Sequence, residues 1–195
     1  MKKAFLLASI LLISVITTAC INNFAVQELN NKAKSFMDRG DYVSAIERLK
    51  SSLDLDSSVF ETQYNLAVAY TKAEDYENAI KTYDEASKLN PDFADIYYSR
   101  AVCEENLAKD IISNQLTVDE EGNISKAEIK EDKEEDTVVK NSQLPDYVRN
   151  VIVKYLASAM EDYQIYIDKS QSSEDREEIN NKLEELKTLS EKYVK

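Results

Sequence analysis

Histidine is absent from this 195-residue chain, and glycine, proline and cysteine occur only twice each: Gly40 and Gly122, Pro91 and Pro145, Cys20 and Cys103. Without His there can be no Ser-His-Asp triad, no Cys-His pair and no His-bearing metal site. Two glycines cannot build a glycine-rich phosphate loop. Positive charge is also scarce, with 24 Lys and Arg against 37 Asp and Glu and a net charge of −13. Such a chain has no electrostatic footprint for nucleic acid or for an anionic membrane surface. Enzymes that work with paired carboxylates need a formed cleft, and no motif marks one, so the chain reads as no enzyme. With 43% apolar and 31% charged residues it is long enough for one sizeable core.

The longest apolar run lies at the start. Lys2 and Lys3 precede a stretch without charge from Ala4 to Ala19, diluted by Ser9, Ser14, Thr17 and Thr18 and stopped by Asn22 and Asn23. This is the pattern of a secretory leader, and it is too short and too polar at its end for the roughly 20 apolar residues of a spanning helix. Thr17, Thr18, Ala19 and Cys20 resemble the lipobox of bacterial lipoproteins, with Thr17 where that family usually has an aliphatic residue. The resemblance implies a signal peptide over residues 1–19, a cut before Cys20 and diacylglycerol on its thiol, with residues 20–25 as a tether. An uncleaved anchor and plain secretion are the alternatives. No other cofactor is implied, and Cys103 is then left without a disulfide partner.

Beyond residue 25 the pattern is helical, with no strand-like alternation, which predicts an all-α fold. Residues 60–93 place small side chains at Ala67 and Ala79, aromatics at Tyr70, Tyr76 and Tyr83, and end on Leu89, Asn90 and Pro91. Residues 26–59 keep the frame with Ala33, Phe36, Gly40, Asp41, Tyr42, Ala45, Ile46, Leu49 and Leu55, Ser57 replacing the closing Pro. A third unit opens at residue 94, where Tyr97, Arg100, Ala101 and Cys103 match a first helix. This 34-residue period resembles the tetratricopeptide (TPR) repeat, a helical hairpin whose small residues let two helices approach closely and whose Pro ends the second. The resemblance covers residues 26–109 and 147–169 and implies a helical-hairpin solenoid.

The third unit's second helix is displaced. Its small residue falls at Ala159 instead of near residue 113. Residues 110–144 therefore read as an insertion, with Pro145 at the first turn of the returning helix over 145–169. An amphipathic segment over 173–193, with Glu174 and Asp175 in its first turn and Ile179, Leu183, Leu186 and Tyr193 on one stripe, reads as a capping helix.

Within the insert, residues 118–136 carry nine acids against three lysines, the composition of a solvated loop. Residues 117–128 also resemble an EF-hand calcium loop in their later half, with Gly122 at the turn, Ile124 and a closing Glu128. Thr117 stands where the first ligand should be Asp, which leaves Asp119, Glu121 and Glu128 as weak metal candidates.

The repeat resemblance implies a concave surface lined by first helices, here Asn30, Lys34, Tyr64, Asn65, Val68, Tyr98, Ser99 and Val102. Tyrosines with valines one turn on suit an extended peptide or a partner helix. One subclass of the family grips a C-terminal carboxylate with basic residues. Here only Asn65 fits that pattern, and Asp95 and Ser99 stand where bases should be. The combined expectation is a lipid-anchored envelope protein, at the outer membrane where there is one, acting as an adaptor or assembly factor for another protein or peptide. The alternative is an ion-responsive protein using residues 117–136. Neither nucleic acid nor a small-molecule substrate is expected.

Overall fold

A computed structural model describes residues 22–127, 144–170 and 173–194. They form seven helices and one β-hairpin. In chain order these are α1 (22–37), α2 (Tyr42–Leu55), α3 (Phe60–Lys72), α4 (Tyr76–Leu89) and α5 (Ala94–Ile112), then β1 (Leu116–Val118), β2 (Ile124–Lys126), α6 (Asp146–Lys169) and α7 (Ser173–Glu191). The chain divides into two compact units, the first ending at Asp75 and the second beginning at Tyr76.

In the first unit, Val26 and Ala33 of α1, Ala45 and Leu49 of α2, and Leu66, Ala67 and Tyr70 of α3 are buried. The turn between α1 and α2 is closed by hydrogen bonds from Gly40 N to Met37 O and from Asp41 N to Phe36 O, at 2.9 and 3.0 Å. Gly40 takes φ +75°, a left-handed conformation that glycine enters without steric cost. Asp41 then caps α2, its carboxylate accepting from Ser44 N at 3.1 Å. After α3 the same turn recurs 34 residues on, with Asp75 N bonded to Tyr70 O at 3.0 Å and Glu74 at φ +58° where the first turn has glycine.

In the second unit α5 runs for 19 residues against 13 in α3. Its terminal turn has the same form, Asn114 at φ +59° and Gln115 N bonded to Asp110 O at 2.9 Å. Six extra residues thus carry α5 past the point where a repeat's first helix ends. The returning α6 is 24 residues long, and Pro145 immediately precedes its first residue. Ala101, Ala108 and Ile111 of α5 share a core with Ile152, Leu156, Ala159 and Tyr163 of α6 and with Ile179 and Leu186 of α7. Tyr193, just beyond α7, closes the same core.

The hairpin adds two short strands to the expected all-α fold. Leu116, Thr117 and Val118 pair antiparallel with Lys126, Ser125 and Ile124, and Val118 is buried in the core beside α5 and α6. Three-residue strands are too short to display an alternation of period two. The long α5–α6 pair supplies the apolar surface that holds them. Residues 128–143, which include Glu128 and six of the nine acids of 118–136, lie outside the described residues, as do residues 1–21 with the leader and Cys20.

Candidate functional site

The residues expected to line the repeat surface have unequal surroundings. In the first unit, Lys34 is exposed, and Tyr64, Asn65 and Val68 are half-buried along α3. Tyr64 stacks on Phe60 with ring centroids 6.0 Å apart. Asn30 has an internal role: its Nδ2 donates to Val26 O at 2.9 Å, to Ser52 Oγ at 3.1 Å and to Thr62 Oγ1 at 2.8 Å. Ser52 and Thr62 are fully buried, so this amide ties α1 to α2 and α3 through otherwise stranded hydroxyls. In the second unit, Tyr98 lies edge-on to Tyr163 at 5.8 Å and tilted against Tyr166 at 5.2 Å. Val102 also packs on the α5–α6 core, and Ser99 is half-buried.

The hairpin loop uses its acid locally. Asp119 accepts from Asn123 N and Asn123 Nδ2, both at 2.8 Å, and Gly122 N bonds to Asp119 O at 3.0 Å, with Gly122 at φ +84°. Thr117 Oγ1 pairs with Ser125 Oγ at 3.0 Å across the ladder. Glu121 is exposed. This is hairpin geometry, with residues 116–118 and 124–126 paired as strands. Among the described residues no three His, Cys, Asp or Glu side chains are grouped to hold a metal ion.

The most unusual polar arrangement lies elsewhere in the second unit, where α4, α5 and α6 enclose a cleft of about 300 Å³. Arg100 of α5 donates from Nε and Nη2 to both oxygens of Asp162, at 2.5 and 2.6 Å, and from Nη1 to Asp84. Burial works against the guanidinium, but the bonds and charge of Asp162 outweigh it and hold its pKa above the ordinary value. One turn on, Glu104 is 3% exposed. Its Oε1 accepts from Ser158 Oγ of α6 at 2.5 Å, and its Oε2 is buried with no hydrogen-bond partner among the described residues. Burial pushes the Glu104 carboxyl up to about 7; the Ser158 bond opposes this and the charges of Asp162 and Asp84 add to it.

The adjacent Glu105 shows the contrasting outcome. It receives Lys109 Nζ at 2.5 Å, Tyr163 Oη at 2.8 Å and Lys182 Nζ of α7 at 3.0 Å. Burial opposes its charge, yet these donors prevail and hold the carboxyl below the usual range. Two neighbouring buried glutamates thus differ because one is surrounded by donors and the other is not.

A family model described as TPR repeat matches residues 69–103. Among solved structures, the first TPR of Spaghetti (RPAP3), bound to the HSP90 peptide SRMEEVD, superposes with a TM-score of 0.54 at 16% identity, covering 84% of this chain and 91% of that one. The first TPR domain of human RPAP3 gives 0.53 at 17% identity, covering 85% and 94%. The second, in complex with the HSP70 peptide SGPTIEEVD, gives 0.52 at 16%, covering 85% and 98%. No curated protein matches in sequence. The fold is a TPR-type helical-hairpin solenoid.

Within that TPR frame the cleft has a clear origin. Leu66 and Tyr70, both buried, are apolar positions of the second repeat, and 34 residues further on stand Arg100 and Glu104. The third repeat has replaced two core side chains with charged ones. Sequence reasoning took Arg100 as part of the match to a first helix and did not single out Glu104. The 34-residue offset is the signal that finds both. Cys103 occupies the small-residue site of Ala69 and, like it, is fully buried.

Proposed function

We propose that this protein is a non-catalytic envelope lipoprotein whose TPR surface binds another envelope protein or a peptide segment of one, as an adaptor or assembly factor. The observation that carries the reading is the TPR fold joined to an α3 that leaves Tyr64, Asn65 and Val68 half-open, with Lys34 exposed on α1. Aromatic and branched side chains at this spacing offer rigid contact area at low entropic cost. TPR folds serve chiefly as interaction scaffolds on which specificity is grafted. The RPAP3 domains, held with HSP90 and HSP70 peptides, use the same fold for peptide binding.

The peptide class differs from theirs. Both of those peptides end in EEVD. This chain has exposed Asp95 and half-buried Ser99 where a carboxylate-gripping surface needs bases, and it carries a net charge of −13. A neutral or basic segment suits it better.

The anchoring part of the proposal rests on the leader-like residues 1–19 and on Ala19 and Cys20 at the cut. Diacylglycerol on Cys20 would hold the protein at a membrane, each buried methylene adding about 0.8 kcal/mol. No described helix is long and apolar enough to cross one. Outer-membrane placement, where there are two membranes, follows from Ile21 after the cysteine instead of Asp.

Two experiments test the reading. Mass spectrometry of the N-terminal peptide should show Cys20 acylated at the new terminus, and an unmodified Cys20 continuous with residues 1–19 overturns the anchor. Crosslinking in the native envelope should capture one protein with the wild type and lose it with a folded Lys34→Ala, Tyr64→Ala variant. Equal capture by both removes this surface as the binding site.

A further inference from the structure

We propose that the cleft between α4, α5 and α6 is a second binding site, for an alkylammonium or alkylguanidinium group, with Glu104 as its main hydrogen-bond acceptor. It is separate from the α1 and α3 surface and stands whether or not that surface binds a peptide.

The argument begins with an uncompensated atom. A buried carboxylate oxygen without a donor is costly, about 1–3 kcal/mol for a neutral group and more for a charged one, so a native structure that keeps one calls for an explanation. Glu104 Oε2 is such an atom, while Oε1 is already bonded to Ser158. The nearest internal cation, Arg100, makes no hydrogen bond to Oε2. Its Nε, Nη1 and Nη2 are directed at Asp162 and Asp84 instead. Repacking the site with apolar residues would have been simpler, as Leu66 and Tyr70 of the preceding repeat illustrate.

What is missing is therefore an external donor, and the cleft indicates its kind. Its volume of about 300 Å³ accepts a group the size of a lysine or arginine side chain, with Ile80 and the Tyr155 ring available to an alkyl stem. Arg100 has its positive charge matched by two carboxylates, so it does not repel a second cation as a free guanidinium would. From α4 the cleft is also lined by Glu77 and Lys81, and from α6 by Lys154, with both lysines exposed. Residues 76–195 hold 28 Asp and Glu against 16 Lys and Arg, a field that draws cations towards the unit. A divalent metal ion is a poor fit, because no three acidic side chains among the described residues are grouped to coordinate one. An organic cation needs only one buried acceptor and a second charge nearby.

Binding should carry a pH signature. Asp84, Glu77 and Lys81 of α4, Arg100 of α5, and Asp162, Lys154 and Tyr155 of α6 are the charged and titratable groups around Glu104. Burial raises two of these carboxyls, pushing Glu104 up to about 7 and Asp162 above its ordinary value, and of the two it is Glu104 that has an oxygen without a donor. A cation binds the ionised form, so affinity should rise about tenfold between pH 6 and pH 8, following the ionised fraction of a group with that pKa.

Isothermal titration of the full chain with n-butylguanidinium, against the neutral isostere n-butylurea, tests the site. The expected result is binding of the cation, at least about tenfold weaker binding of the urea, and at least about tenfold loss with Glu104→Gln that remains folded by circular dichroism. Should that variant not fold, the pH 6 to pH 8 series on the wild type carries the test alone. Equal affinity for the two probes, no heat with the cation, or no change with pH or with Glu104→Gln overturns the proposal. Spermidine and the peptide acetyl-Gly-Arg-Gly-amide distinguish the sources: tighter binding of the first points to a free amine, and of the second to a partner's basic side chain.

Discussion

Arg100 on α5 holds both carboxylate oxygens of Asp162 on α6, at 2.5 and 2.6 Å, with the two side chains 15% and 4% exposed. A bidentate pair this deep joins the two helices of the third repeat. Replacing only one partner strands the other. Arg100→Leu should therefore cost about 3–5 kcal/mol, whereas a joint Arg100→Leu, Asp162→Leu change should recover most of it, because the desolvation penalty disappears with both charges. Urea unfolding of the four members of this cycle checks the prediction; additive losses would show that the pair is not a coupled unit.

Glu74 has the left-handed conformation that Gly40 has in the equivalent turn, φ +58° against +75°. For a residue with a Cβ this conformation costs about 1–2 kcal/mol, part of which glycine returns through the greater freedom of its unfolded chain. Glu74→Gly should accordingly stabilise the protein by about 0.5–1 kcal/mol. The side chain is exposed, so little packing is lost. A lower midpoint in thermal unfolding would show instead that Glu74 holds a contact worth more than the strain.

The same turn shows why so much of the fold was legible in the sequence. Ala67, Ala79 and Tyr83 were read as close-packed positions from the 34-residue period, and each is buried. Periodicity reports helices that recur, and it reports them through small and aromatic side chains. It says little about a departure from the repeat. The extra length of α5 and the hairpin under it belong to the third repeat alone, and Val118 is a buried strand residue only because α5 and α6 are long enough to cover it. The cleft was less legible still, since Arg100 and Glu104 look like ordinary surface charges until Asp84, Asp162 and Ser158 are brought to them from other helices. Expected surface residues were also partly absorbed: Tyr98 became one ring of a tyrosine cluster.

Asn30 separates a structural role from a binding one. Its amide hydrogens reach Ser52 and Thr62 at 3.1 and 2.8 Å, and both hydroxyls are fully buried. Its own Oδ1 is buried without a partner among the described residues, which offsets part of the gain. Asn30→Ala should still lower stability by about 1–2 kcal/mol through the stranded hydroxyls. Hydrogen exchange should place the loss in α1, α2 and α3. If affinity for a captured partner fell while stability did not, Asn30 would belong to the binding surface instead.

Glu104 makes stability itself depend on pH, with a sign opposite to that of an ordinary paired carboxylate. Its folded pKa of about 7 lies above the ordinary glutamate value of 4.5, so the folded chain retains a proton that the unfolded chain has released. Stability should therefore fall as pH rises from about 4.5 to 7 and level off above that. The shift corresponds to roughly 3–4 kcal/mol at most for this residue, at about 1.4 kcal/mol per pKa unit. Glu104→Gln keeps an acceptor for Ser158 but cannot ionise. Any fixed cost of its buried NH₂ group applies equally at all pH values, so the useful quantity is the difference between two pH values. Denaturant unfolding at pH 5 and pH 8 should show the wild type losing about 2–3 kcal/mol relative to the variant over that interval. Parallel pH profiles for the two proteins would mean that Glu104 is already ionised at pH 5. Its Oε2 would then have to find a donor in the folded protein, and the case for an external cation would weaken with it.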